Sequence, residues 1–279
     1  MSDNQNRAIS GNAIPGSLSA NTIPGSVYND LVHYFKYASS AYCLVCPRPN
    51  GNTLVLPISN TFTDIQGFIA RDEHRKEIIV ALRGSASYVD FLMDMQLVLI
   101  PLITPGVVLP PDTRVHSGFL LAWNSVALQI LAIVSQQIKS HPGFSIVTTG
   151  HSLGGALSTL AAVSLRSNFP DKEVRTYSYG APRTGNQTFA NYVNEKFGSR
   201  AFRVVHTTDG VPTIISKSLG YSHHGIEYWL SADPPSKETI RKCSADGEDP
   251  SCSASIPSRG FTPAHAMYFG ITVSTPFCL

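Results

Sequence analysis

The chain carries little charge: 21 Lys and Arg against 19 Asp and Glu in 279 residues, a net +2. With no block of Lys or Arg, this balance argues against nucleic acid or an anionic membrane as a partner. No uninterrupted apolar run reaches the ~18 residues of a spanning helix. The longest, 97–103, already contains Pro101, so no transmembrane segment is expected. The stretch from Met1 to Arg7 lacks the apolar core of a signal peptide. The chain is therefore expected to be intracellular or to lie downstream of a removed signal. No repeat and no Pro/Gly-rich linker divides the interior, so one domain is expected over 26–279. An Asn/Ser/Gly/Pro-rich tail or pro-segment remnant precedes it over 1–25.

Cysteine is scarce as well, and its number is odd. Cys43 and Cys46 form a Cys-x-x-Cys, but no second Cys/His pair at zinc spacing accompanies them, so no metal is expected. Cys243 and Cys252 flank a polar loop and read as a loop staple. Cys278, next to last, fits tying down a chain end, with Cys43 or Cys46 as its partner. The pattern points to an oxidising compartment.

What is present is a 43% hydrophobic chain able to bury a substantial core. Helical spacing of apolar residues predicts helices over 27–41 and 119–139, the second ended by Pro142-Gly143. Short apolar and β-branched runs predict strands over 53–56, 67–70, 77–82, 146–149, 174–179 and 201–205. The turn 72–76 makes an antiparallel hairpin of the second and third. Helices over 153–165 and 187–197 alternate with the later strands, which argues for an α/β fold with a mostly parallel sheet wrapped by helices. Asn186, directly before a helix, reads as an N-cap, although Asn186-Gln187-Thr188 is also a glycosylation sequon.

The stretch 145–157 organises the rest. A β-branched strand leads into Gly150-His151-Ser152-Leu153-Gly154, a Gly-x-Ser-x-Gly on a strand-to-helix turn, followed by a small-residue helix. Such a turn holds the serine hydroxyl out of the sheet edge, with a helix N-terminus behind it that favours developing negative charge. A serine hydroxyl needs a histidine to take its proton, and that histidine needs a carboxylate. In hydrolases of this build the chain order is Ser, acid, His. Asp209 lies just past a predicted strand, whereas Asp233, Asp246 and Asp249 read as solvated loop residues. Among the later histidines, His265 follows Pro263 on a loop and is preferred to His223 and His224. His151 is expected to point away from the site, and His33, His74, His116 and His141 to be surface or packing residues.

Four segments together carry a resemblance: 150–156, 178–183, 206–212 and 263–270. With Tyr42-Cys43 and Arg83-Gly84-Ser85, they resemble the filamentous-fungal class 3 triacylglycerol lipase family, in order from about Tyr28 to Cys278. The resemblance implies an α/β-hydrolase fold with a mixed, mostly parallel central sheet and a short helical lid. It implies Ser152 as nucleophile, Asp209 as orienting acid and His265 as base. Ser85 and Leu153 are implied as oxyanion donors, and Cys43 as the partner of Cys278. The stretch 86–95 carries Tyr88, Phe91, Leu92 and Met95 on one helical face. The resemblance implies that this is the lid, and that with Tyr42 it contacts substrate. In the related feruloyl esterases the corresponding stretch is polar. The implied activity is cofactor-free hydrolysis of long-chain acylglycerols by a secreted enzyme at a lipid–water interface. A broader esterase on sterol or aryl esters is the alternative, and a non-catalytic lipid-binding module a more distant one.

Overall fold

The computed structural model describes residues 23–84, 97–257 and 259–279. Ser85 and the implied lid, with Tyr88, Phe91, Leu92 and Met95, lie outside the described residues. In chain order the elements are α1 (Gly25–Ser40), β1 (Thr53–Asn60), β2 (Ile65–Asp72), β3 (Glu77–Leu82), β4 (Leu99–Pro101), β5 (Arg114–His116), α2 (Ser117–Ser140), β6 (Ser145–His151), α3 (Leu153–Asn168) and β7 (Val174–Tyr179). They continue with β8 (Gly185–Asn186), α4 (Gln187–Phe197), β9 (Ala201–His206), β10 (Tyr221–Ser222), β11 (Glu227–Leu230), β12 (Ile240–Lys242), β13 (Met267–Tyr268) and β14 (Ile271–Thr272).

Eight strands form the central sheet, in the order β1-β2-β3-β6-β7-β9-β11-β12. The five inner strands from β3 to β11 run parallel. β1, β2 and β12 join antiparallel at the edges, and β2–β3 is the expected hairpin. Buried on both faces, β3 is a continuous apolar run after Glu77. Its alternation sends Ile78, Val80 and Leu82 into one core with α2 and α3, and Ile79 and Ala81 into the other with α1. A small second sheet, β10-β8-β5-β4, was not expected. Its strands are two or three residues long, too short to show a period.

Helix α3 is buried throughout 153–165, and its Gly and Ala residues let it lie close to β6 and β7. Helix α2, 24 residues, is long and apolar enough by length and composition to cross a membrane. Here Phe119, Trp123, Val126, Ile130 and Val134 bury one stripe in the core, where the helix packs on α3. His116, expected to be a surface or packing residue, caps this helix. Its Nδ1 accepts from the N–H groups of Gly118 and Phe119 at 3.1 and 3.4 Å. Asn186 caps α4 through a bond from the Phe189 N–H at 3.0 Å.

The structure corrects one disulfide. Cys278 is bonded to Cys46, not to Cys43, which keeps a free thiol. The returning chain end sets the choice: Arg48 N–H donates to Cys278 O at 3.1 Å, and Asn50 N–H to Phe277 O at 2.5 Å. This pairing brings Cys278 to 4.7 Å, Cα to Cα, from Cys46. Cys43 meanwhile belongs to the end of α1, where its N–H donates to Ser40 O at 3.0 Å. Cys243 and Cys252 are joined, as expected.

Candidate active site

Ser152 sits between the end of β6 and the first turn of α3, at φ 61° and ψ −129°. Such a conformation costs a non-glycine residue about 1–3 kcal/mol and is held by its surroundings. The Ser152 N–H donates to Tyr179 O at 2.8 Å, and its carbonyl accepts from Gly155 N–H at 2.9 Å. The flanking glycines allow the turn to close. A Cβ on Gly150 would lie 2.1 Å from Gly154 O, and one on Gly154 would lie 2.1 Å from Leu82 O. Ser152 Oγ is buried and has no hydrogen-bond partner among the described residues. Leu153, buried, opens α3, so its N–H belongs to the unsatisfied first turn of the helix.

Asp209 follows β9, and His265 lies on a short 3-10 turn after Pro263. Both side chains are buried, and His265 Nδ1 lies 3.0 and 2.9 Å from the two Asp209 oxygens. Two further donors fix the carboxylate: Val211 N–H on Oδ1 at 3.0 Å and Tyr268 hydroxyl on Oδ2 at 2.6 Å. Burial, then the Asp209 charge, raise the Tyr268 hydroxyl well above the usual tyrosine range, which keeps its proton in place for this bond. Gly180, at φ +57°, leaves room for the pair. A Cβ there would meet Asp209 Oδ2 at 2.6 Å, Tyr268 Oη at 2.7 Å and His265 Nδ1 at 2.9 Å.

Ser152 and His265 share the wall of one cavity of about 200 Å³ with Tyr42, His151, Phe261 and Val273. His151, expected to point away from the site, instead lines this cavity and joins two parts of it. Its Nε2 lies 2.8 Å from the His265 carbonyl and its Nδ1 2.9 Å from the Tyr42 hydroxyl. A carbonyl can only accept, so Nε2 carries the proton and Tyr42 donates to Nδ1. The Tyr42 oxygen in turn accepts from Gly84 N–H at 3.2 Å. Burial, aided by His265, lowers the His151 pKa well below the ordinary histidine range, so this chain holds its neutral form. Tyr42 thereby connects the loop of His265 to the strand end directly before Ser85.

Other sequence-ranked groups lie elsewhere. His223 and His224 are buried, with ring nitrogens on the carbonyls of Pro212 and Gly225 at 2.7 and 2.8 Å. Asp233 is exposed, as expected of a solvated loop residue, and in addition lies 2.7 Å from Nε2 of the buried His206, whose Nδ1 donates to Ala264 O at 2.9 Å. Sequence reasoning missed Tyr268 and Gly180 as parts of the site, although both fall in the segments that carried the resemblance. Among the described residues, Glu227, Cys243 and Cys252 lie close enough to suggest a metal site. The two sulfurs are bonded to each other, and Glu227 accepts from Arg203 Nη2 at 2.8 Å.

A mostly parallel sheet with a strained serine at the end of an inner strand, and an acid and histidine on loops at the same edge, defines the α/β-hydrolase class. The family described as "Lipase (class 3)" matches residues 79–218. A secreted alkaline triacylglycerol lipase of Penicillium cyclopium is 33% identical over 254 residues, 91% of this chain and 87% of that protein. A secreted mono- and diacylglycerol lipase of Fusarium solani is 36% identical over 222 residues, 74% of this chain and 64% of that protein. The crystal structure of a Penicillium expansum triacylglycerol lipase superposes with a TM-score of 0.82 at 32% identity, covering 92% of this chain and 98% of that one. The chain belongs to the class 3 lipase family.

Proposed function

We propose that residues 26–279 form one secreted, cofactor-free carboxylic-ester hydrolase that releases fatty acids from triacylglycerols at a lipid–water interface. Ser152 is the nucleophile. As its Oγ attacks the ester carbonyl, its proton passes to His265 Nε2, while Asp209, held by Tyr268 and Val211, keeps the proton on Nδ1 and stabilises the imidazolium. The N–H of Leu153 and Ser85 receive the oxyanion, an interaction worth about 10²–10³ in rate per donor. His265 then protonates the leaving glyceryl oxygen, leaving an acyl-Ser152. Water deprotonated by His265 attacks this ester, and the fatty acid leaves as Ser152 Oγ regains the proton.

The observation that carries the reading is the strained Ser152 on the same cavity wall as His265, whose Nδ1 is bound to buried Asp209. The likeness to the Fusarium mono- and diacylglycerol lipase favours partial glycerides as a second substrate class. The test is hydrolysis of triolein against concentration across its solubility limit, with Ser152→Ala as control and monoolein in parallel. A rate that jumps above the limit, absent in the variant, supports a lipase with a lid at 86–95. A smooth hyperbola sinks the lid, and turnover of monoolein alone sinks the triacylglycerol reading.

A further inference from the structure

Just after Tyr42, the chain makes a knuckle that the reaction does not use. Leu44 and Val45 stand 88% and 79% exposed, as neighbours, beside a residue that lines the cavity. Single apolar residues on a surface are ordinary, but here two adjoin, two and three residues along the chain from Tyr42, and they line a separate hollow with Leu54, Pro57 and Phe68. Rigidity comes from both sides. Cys43 N–H closes the end of α1 on Ser40 O, and Cys46 is bonded to Cys278, with Arg48 N–H on Cys278 O at 3.1 Å. The nearest charges along the chain are Lys36 before and Arg48 after, and the Arg48 guanidinium is turned back onto Gly51 O at 3.1 Å. Phe261, 49% exposed, adds a second apolar group on the wall that Tyr42 shares.

We infer that the Leu44–Val45 knuckle is an anchor that inserts into an uncharged lipid surface and sets the catalytic cavity against it. The nature of that surface rests on the acylglycerol reading above. The disulfide fixes the backbone that carries the two side chains, so little backbone entropy is lost on insertion. Because the knuckle carries no charge, adsorption through it is apolar and insensitive to salt.

The test separates adsorption from turnover. In a Ser152→Ala chain, binding to phosphatidylcholine-coated triolein droplets is measured by flotation. Leu44→Asp with Val45→Asp should lower partitioning about a hundredfold. Leu121→Asp with Leu128→Asp, an exposed apolar pair on α2 on the other side of the sheet, should leave it unchanged. Parent binding should hold between ~0.05 and ~0.5 M salt. In the chain with Ser152 intact, the Leu44/Val45 variant should still hydrolyse a soluble butyrate ester within about twofold of the parent, which shows that it folds. Should it not fold, Leu44→Trp gives the answer instead: the emission of the added indole should shift to the blue when droplets are supplied. Equal binding of variant and parent, an equal loss in the α2 pair, salt-sensitive parent binding, or an unshifted emission from the added indole overturns the anchor. Droplets that are bound but not hydrolysed by the Ser152 chain would overturn the catalytic reading and leave the anchor standing.

Discussion

Replacing Gly180 by alanine probes the bonded Asp209–His265 pair, proposed above as acid and base, without touching a reacting atom. The backbone at this position is left-handed, φ +57°, which costs an L-residue about 1–2 kcal/mol. The new methyl would stand 2.6 Å from Asp209 Oδ2 and 2.9 Å from His265 Nδ1. Ordinary contact begins near ~3.5 Å, so one or both groups must retreat by roughly 0.5–1 Å. Displacement on that scale typically costs about 10² in rate. Gly180 does not line the cavity, so binding of a soluble ester should be little altered. The expected result is a kcat about a hundredfold lower, an almost unchanged KM, and a melting temperature lower by several degrees. Steady-state kinetics on a butyrate ester and calorimetry measure all three. A variant that keeps more than half of the parental kcat would refute the view that Asp209 and His265 work at fixed positions set by this glycine.

Two further predictions concern the framework. Removing the Cys46–Cys278 link by Cys46→Ser should cost roughly 5 kcal/mol on the loop-entropy model for a separation of 232 residues, while Cys43→Ser should leave the urea midpoint nearly unchanged. The reverse ranking would restore the pairing first implied. Burial holds His116 and His224 at about 4, below the ordinary histidine value of 6.5, so they stay neutral in the native state while the unfolded chain takes up protons first. Their contribution is therefore fully present above pH ~6.5 and lost as pH falls towards 4, about 3 kcal/mol each. His116→Asn keeps an acceptor for the helix cap but removes one titration. Its stability should fall less steeply over that window by about 1.4 kcal/mol per pH unit, and urea midpoints that track the parent would contradict this.

How much of this was legible in the sequence varied with how local the cause is. The strand–serine–helix turn is written in consecutive residues, since Gly150 and Gly154 are demanded by the close approach of β3 and the turn itself. The run 174–179 and the helix 187–197 emerged with the expected bounds because their periods and caps lie within them. The bond between His265 and Asp209 spans 56 residues, and it could be anticipated only through residue type and chain order. The partner of Cys278 could not be read in this way. Two candidate cysteines three residues apart differ only in how the chain end docks, which is settled by backbone bonds to Arg48 and Asn50. The same holds for His151 and His206, whose partners are backbone carbonyls, the Tyr42 hydroxyl and a distant carboxylate. Asp233 is solvated, as its Ser, Ala and Pro neighbours suggested, but its bond to His206 could not be foreseen because β9 brings that partner in.

The most direct test of the account is covalent labelling with a fluorophosphonate followed by peptide mapping. The account predicts modification at Ser152 alone, absent in Ser152→Ala, lost in His265→Ala and retained in His224→Ala. Labelling that persists in Ser152→Ala, or that depends on His224 rather than His265, would contradict it.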